Sequence, residues 1–357
     1  MRRNYEPFYD PNKSYEENLA EGPFSIFADQ KIWLDRGKPQ YDFLGFKVHA
    51  PFGIAAGPLI NGKFLKAALD KAFDVVTYKT VRTQKHASHA WPNVLPLEIQ
   101  GELTLDKAQQ GLTVLDHFMA PCSITNSFGV PSADPEFWAQ DLAGCVNYAK
   151  EGQVVIGAFQ GTPASHLEDL KKATRLIKNT GVKILEVNLS CPNEGTANLL
   201  CFDVFKSRSV VELIKSEIGA LPLIVKIAYF PEDQELVRFV SEVGPWVEAI
   251  ETINTIPAQI RNQRGEQALP GEGRSRSGVC GHAVKWAGLD MVKRLKALRD
   301  QLGLAYQIIG VGGVSDVEDF NSYRIAGADC VLSATGVLWN PCLAREIKKV
   351  NAWVHST

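Results

Sequence analysis

From residue 52 onward the chain repeats one unit eight times: a short apolar run followed, directly or after an inserted loop, by a charged amphipathic stretch. The runs are Phe52–Ala56, Val75–Lys79, Val154–Phe159, Ile184–Leu189, Leu223–Ile227, Ala249–Asn254, Gln307–Val311 and Cys330–Ala334. They are rich in Val and Ile and almost continuously apolar, which is the pattern of parallel strands covered on both faces. Between them the spacing predicts helices over 61–72, 164–179, 207–219, 232–243, 284–302, 316–326 and 341–350. Another begins at Asp134-Pro135, an N-cap residue followed by proline at the first helical position. Eight such units imply an α/β fold, a (β/α)8 TIM barrel spanning 51–357, with residues 1–50 as an N-terminal extension.

Two intervals, 80–153 and 255–305, are too long for simple connections. Both leave the C-terminal ends of strands, where barrel enzymes build their sites, so they are expected to form a lid or wall at that face.

Composition narrows the function. The 357 residues carry 38 Lys+Arg against 40 Asp+Glu, a net charge of −2, which gives no electrostatic reason to expect a nucleic-acid partner. No run approaches the roughly 18 apolar residues of a membrane span, and the N-terminus lacks the apolar stretch of a secretory signal. The seven cysteines are odd in number and form no Cys-x-x-Cys pair, which fits reduced thiols in a cytoplasmic protein and no metal site.

In a barrel the informative residues are polar ones at strand ends. Strand four runs into Asn188-Leu189-Ser190-Cys191-Pro192-Asn193. Paired carboxamides can read the alternating carbonyl and N–H edge of a cyclic urea or imide. Cys191 between them can accept a proton if its thiolate is stabilised; the other six cysteines are expected to be buried small apolar residues. Asn254 and Thr255 end strand six, and Asn126 and Gly129 belong to Thr125-Asn126-Ser127-Phe128-Gly129 in the first insertion. Lys79 and Lys226, at the tip of strand two and inside strand five, require an anionic or electron-rich partner. A reduced flavin, a phosphate, a substrate carboxylate or a neighbouring acidic side chain would each serve. Strands seven and eight run into Gly310-Val311-Gly312-Gly313 and Ser333-Ala334-Thr335-Gly336. Glycine turns in that position, with Gly281 at the end of the second insertion, make an anion site.

These motifs, in this order over residues 46–350, resemble the dihydroorotate dehydrogenase family, specifically its cysteine-containing soluble class. The resemblance implies FMN as cofactor and oxidation of dihydroorotate to orotate, a step of pyrimidine biosynthesis. It makes Cys191 the base, Asn126, Asn188, Asn193, Asn254 and Thr255 the substrate ligands, and Lys79 and Lys226 the lysines beside flavin and substrate. Ala55, Ala56, Gly57 and Thr80 would lie against the flavin ring, and Gly281, Gly312, Gly313, Ala334 and Thr335 would hold its phosphate. The sequence departs from the family at Ser132, where soluble members often have asparagine, and at Ala334, where glycine is common. The resemblance further implies a second electron acceptor (fumarate, a quinone, or NAD through a partner) and a state that is often homodimeric. Two other readings stand beside it: an FMN-dependent oxidoreductase of dihydropyrimidine or enoyl-type substrates, and a non-flavin phosphate-binding barrel isomerase.

Overall fold

The computed structural model describes residues 6–162, 166–190 and 199–354. Strands β1 (Phe52–Ile54), β2 (Val75–Val81), β3 (Val154–Phe159), β4 (Ile184–Asn188), β5 (Leu223–Ile227), β6 (Ala249–Thr252), β7 (Gln307–Val311) and β8 (Cys330–Ser333) close into a barrel. Neighbours around it follow chain order and every pair is parallel. This is the expected (β/α)8 architecture. Strand ends shift by a residue or two: β2 continues to Val81, and β6 stops at Thr252, short of the expected Asn254. Asn254 has turned off the strand, although its N–H still donates to the Ile227 carbonyl at 3.2 Å.

The surrounding helices are α1 (Gly62–Asp70), α2 (Pro135–Tyr148), α3 (His166–Asn179), α4 (Val204–Ile218), α5 (Asp233–Val243), α6 (Lys285–Leu302), α7 (Val317–Ala326) and α8 (Leu343–Val354). α5 shows why they form where the sequence places them. It buries Leu236, Phe239, Val240 and Val243, an i, i+3, i+4, i+7 stripe, against the barrel. At α2 the expected N-cap Asp134 and the proline after it are both in place. The Asp134 side chain makes no capping hydrogen bond; its backbone carbonyl accepts from Phe137 and Trp138 instead.

The barrel interior is aliphatic, with Val154, Ile184, Ile224 and Ile309 among its buried side chains. A hairpin of Tyr41–Phe43 and Phe46–Val48 plugs its N-terminal end, sending Phe43 and Val48 into that core. Earlier residues lie along the outside. Phe8 stacks on Phe27 with centroids 4.1 Å apart, and the buried Lys71 ammonium binds the Asp29 carboxylate and the Lys31 carbonyl at 2.5 Å each.

The two long insertions meet above the other end. Leu112–Thr113, Ile256–Arg261, Arg276–Gly281 and Ser123–Asn126 form one four-stranded sheet in that order, two strands from each insertion. Gly278 pairs with Asn126 and Ile256 with Val279. A wall over the C-terminal face was expected; its being a single sheet was not.

Candidate functional site

A cavity of about 850 Å³ lies between the strand ends and the inserted sheet. β1 and its following turn contribute Ala55, Ala56 and Gly57, and β2 contributes Lys79 and Thr80. Asn188 and Lys226 come from β4 and β5, and Asn254 and Thr255 follow β6. Ala334 and Thr335 follow β8, while Asn126 and Gly129 come from the first insertion. A second cavity of about 420 Å³ adjoins it at Thr335 and is lined by Gly281 and Gly313. Gly312, expected with them, lines neither cavity. Its carbonyl turns instead to accept the Tyr323 hydroxyl at 2.6 Å. Cys191, Asn193 and the residues that follow to 198 lie outside the described residues.

The amides at the mouth are held by one another. Asn188 Nδ2 donates to Gln160 Oε1 at 3.1 Å, and Asn188 Oδ1 accepts from the Ser190 hydroxyl at 3.0 Å and the Ser190 N–H at 3.2 Å. Asn254 Nδ2 donates to Ser190 Oγ at 3.0 Å. These bonds fix which end of each amide is donor and which is acceptor. Among the described residues they leave the second Asn188 N–H and the Asn254 Oδ1 for a ligand. Gln160 and Ser190 were not singled out from sequence. Gln160 follows β3 directly, the same strand-end position that marked the other candidates, so the signal was present.

Lys226 is buried and bonded to Glu251 Oε1 at 2.5 Å. Of the partners open to it from sequence, the structure supplies the acidic side chain. Glu186 and Glu251, both fully buried on β4 and β6, were missed. Each was visible as a carboxylate inside an apolar run, the same anomaly that marked Lys226. Burial and then Glu251 push the Glu186 carboxyl well above the usual range.

The cysteine expectation also needs correcting. Cys145, Cys201 and Cys330 are buried, but Cys122, Cys280 and Cys342 are only partly so. Cys280 stands in the large cavity and Cys122 in the small one, because both flank the seam between inserted strands. Burial pushes each thiol up to about 11, against which Cys280 is partly held down by a hydrogen bond from Thr335.

Arg274 ties the insertions together. Its guanidinium donates to the carbonyls of Ala90 and Pro270 at 2.7 Å, of Ser127 at 3.0 Å and of Pro92 at 3.3 Å, and to Ser127 Oγ at 2.9 Å. A side chain that was not foreseen thus clasps the loop bearing Asn126 to the second insertion.

The small cavity fits a phosphate group. Gly281 has φ +100°, and a Cβ there would lie 2.2 Å from the Cys122 carbonyl oxygen. Gly313 has φ +68°, and its Cβ would lie 2.7 Å from Lys285 Cβ. Only glycine permits both turns, and without side chains their backbone lies open to a ligand. The Ser315 and Thr335 hydroxyls line the same space. Two acidic residues there are engaged: Asp316 caps α7 through Asp319 N–H at 2.9 Å, and Glu346 accepts from Asn340 Nδ2 at 2.9 Å. Among the described residues no cluster of three or more His, Cys, Asp or Glu could hold a metal ion. Nor is any described helix long and apolar enough to cross a membrane.

Comparison with known proteins agrees with this geometry. A solved structure, DHODH in complex with ferulenol from Eimeria tenella, superposes with a TM-score of 0.69 at 18% identity, covering 91% of this chain and 88% of that one; it shares the fold. A catalytic subunit described as dihydroorotate dehydrogenase B (NAD(+)), from Desulforamulus reducens, is 30% identical over 64% of this chain and 71% of its own. A dihydroorotate dehydrogenase of Dictyostelium discoideum is 34% identical over 95% of this chain and 96% of its own length. The model of the dihydroorotate dehydrogenase family matches residues 40–351. With that match over most of its length, and with the barrel and its glycine-lined pocket in place, this chain belongs to the dihydroorotate dehydrogenase family.

Proposed function

We propose that the chain oxidises dihydroorotate to orotate with FMN as cofactor. The observation that carries this reading is the pair of cavity-lining amides Asn188 and Asn254, joined through Ser190 and braced by Gln160, in a cavity that adjoins a glycine-lined pocket at Thr335. Gly281, Gly313, Ala334 and Thr335 would hold the FMN phosphate, and Ala55, Ala56, Gly57, Lys79, Thr80 and Lys226 its ring system. FMN supplies the two-electron acceptor when bound.

The protein's own share is binding, orientation and a proton. An amide N–H from Asn188 and the Asn254 Oδ1 match the acceptor and donor edges of a dihydropyrimidine ring, and Asn126, Asn193, Thr255 and Gly129 complete the ring's contacts. Ser190 sets the direction of both amides, so a flipped or translated ring would meet like against like. Lys79 opposes the substrate carboxylate. Cys191 follows Ser190 directly and removes the proton from the ring carbon beside the carbonyl. Lys226 gives a fixed positive charge at the cavity floor, facing the region where negative charge builds.

Anaerobic mixing with dihydroorotate should bleach the bound FMN absorbance, and Cys191→Ala should slow that bleaching by about 10²- to 10⁴-fold while orotate still binds. Equal rates in the two proteins would remove Cys191 from the reaction. Titration with uracil in place of orotate separates a dihydropyrimidine substrate, since the cognate ring should perturb the flavin spectrum. Supplying fumarate, a quinone or NAD to the reduced protein identifies the oxidant that completes the cycle.

A further inference from the structure

Below the cavity floor the barrel encloses two carboxyl groups and one ammonium. Lys226 and Glu251 are register partners on β5 and β6, and Glu186 stands on the other side, on β4. Glu186 and Glu251 are each 0% exposed, and Lys226 is 5% exposed with its head in the large cavity. Around them the interior is aliphatic, from Ile184, Ile224 and Ile309. Glu251 Oε1 takes the ammonium at 2.5 Å. Glu251 Oε2 and both Glu186 oxygens have no hydrogen-bond partner, although both carboxyls are sealed inside the same barrel on either side of β5.

Two adjacent carboxylates with one cation would leave an uncompensated negative charge in an apolar interior, which costs several kcal/mol (on the order of what an unpaired buried ion costs in general). One proton on the pair removes that charge and satisfies both facing oxygens at once. We infer that Glu186 is a neutral acid donating a hydrogen bond to Glu251, and that this acid–carboxylate pair is the positioning element that keeps Lys226 an ammonium facing the cavity. The electrostatics agree in direction. Burial, then Glu251, raises the Glu186 carboxyl; burial opposes the Lys226 charge, but the Glu251 carboxylate leads in opposing that cost, and the lysine stays above its usual value. The triad is neutral in sum and polar in arrangement, with its positive end toward the ligand. Neither glutamate touches that ligand, so both act through Lys226.

Two features follow. Gln is isosteric with a protonated Glu, so E186Q should behave as the wild type. Glu186 is also a reserve anion: when Glu251 is neutralised, Glu186 can ionise and take its place beside Lys226. The two sites should therefore be strongly non-additive.

The test reads FMN affinity and flavin midpoint potential in the full chain for E186Q, E251Q, the double variant and K226M; these readouts rest on the FMN reading above. We expect E186Q to keep the wild-type affinity and potential, and E251Q to shift them slightly. The double variant should weaken FMN binding by about tenfold or more and lower the potential as K226M does. A double variant indistinguishable from wild type, or E186Q alone as damaging as the double, overturns the inference. If the wild-type chain takes up no FMN, the cofactor reading fails, and urea unfolding of the ligand-free variants still decides the pairing. E186Q at or above the wild-type midpoint, with E251Q below it, supports the neutral acid; E186Q as destabilised as E251Q refutes it.

Discussion

Every residue of β3 and β5 is buried, whereas Ile256–Arg261 in the inserted sheet alternates, with Ile256, Ala258 and Ile260 inside and Pro257 exposed. The barrel strands are parallel, consecutive and sealed between helices and an aliphatic interior. The inserted strands are drawn from two distant stretches, pair largely antiparallel, and are held to each other by Arg274 and by a seam of glycines and cysteines. The first region supplies stability and a rigid row of strand ends; the second supplies a roof whose position depends on a few polar contacts. The large cavity sits where the two meet: Asn188, Lys226 and Asn254 belong to the rigid part, Asn126 and Cys280 to the roof.

The contrast can be broken most strongly in the barrel. Ile309→Ala removes a fully buried side chain from the closed interior and should cost about 2–5 kcal/mol of global stability in urea unfolding. Ile260→Ala, equally buried in the inserted sheet, should act locally: amide exchange over 256–261 and 276–281 should quicken while the barrel strands stay protected. Equal loss of protection in both regions would mean that they unfold as one unit.

Arg274→Ala sharpens the comparison at the roof. It leaves several carbonyls without their donor, at about 1–3 kcal/mol for each that stays buried. Orotate affinity should fall, because the Ser127 loop carries Asn126, while the Ile309 region keeps its exchange protection. Unchanged orotate binding would show that the clasp is dispensable for the site.

The subtlest signature is a pH slope. Glu186 keeps its proton in the folded chain above the pH at which an unfolded glutamate loses it, near 4.5. Over that window the folded state binds one more proton than the unfolded state. Stability therefore falls as pH rises, by at most about 1.4 kcal/mol per unit. E186Q lacks this slope, so its advantage over wild type should widen as pH rises above the unfolded glutamate range in urea titrations. Parallel curves would mean that Glu186 is ionised in the fold.

The barrel was legible because burial on both faces writes itself into each strand as an unbroken apolar run, and helix faces repeat at fixed spacing. The roof was not: Cys280 donates to the Ile124 carbonyl from 156 positions away, and nothing local in either segment names the other. Strand-end amides and glycines could be read as site candidates, since the barrel fixes which end of a strand faces the ligand. Gln160 and the two interior glutamates could have been found by the same logic.

By itself the sequence determined the eight strands, their order, and hence which side chains crowd the barrel mouth, because those features follow from periodicity over a few residues. Only the tertiary structure decided that the Lys226 ammonium is met by Glu251, that Ser190 aligns two amides, and that two insertions share one sheet. Pairings of charge, hydrogen bond and strand edge are set by distances across the fold, which no stretch of chain records alone.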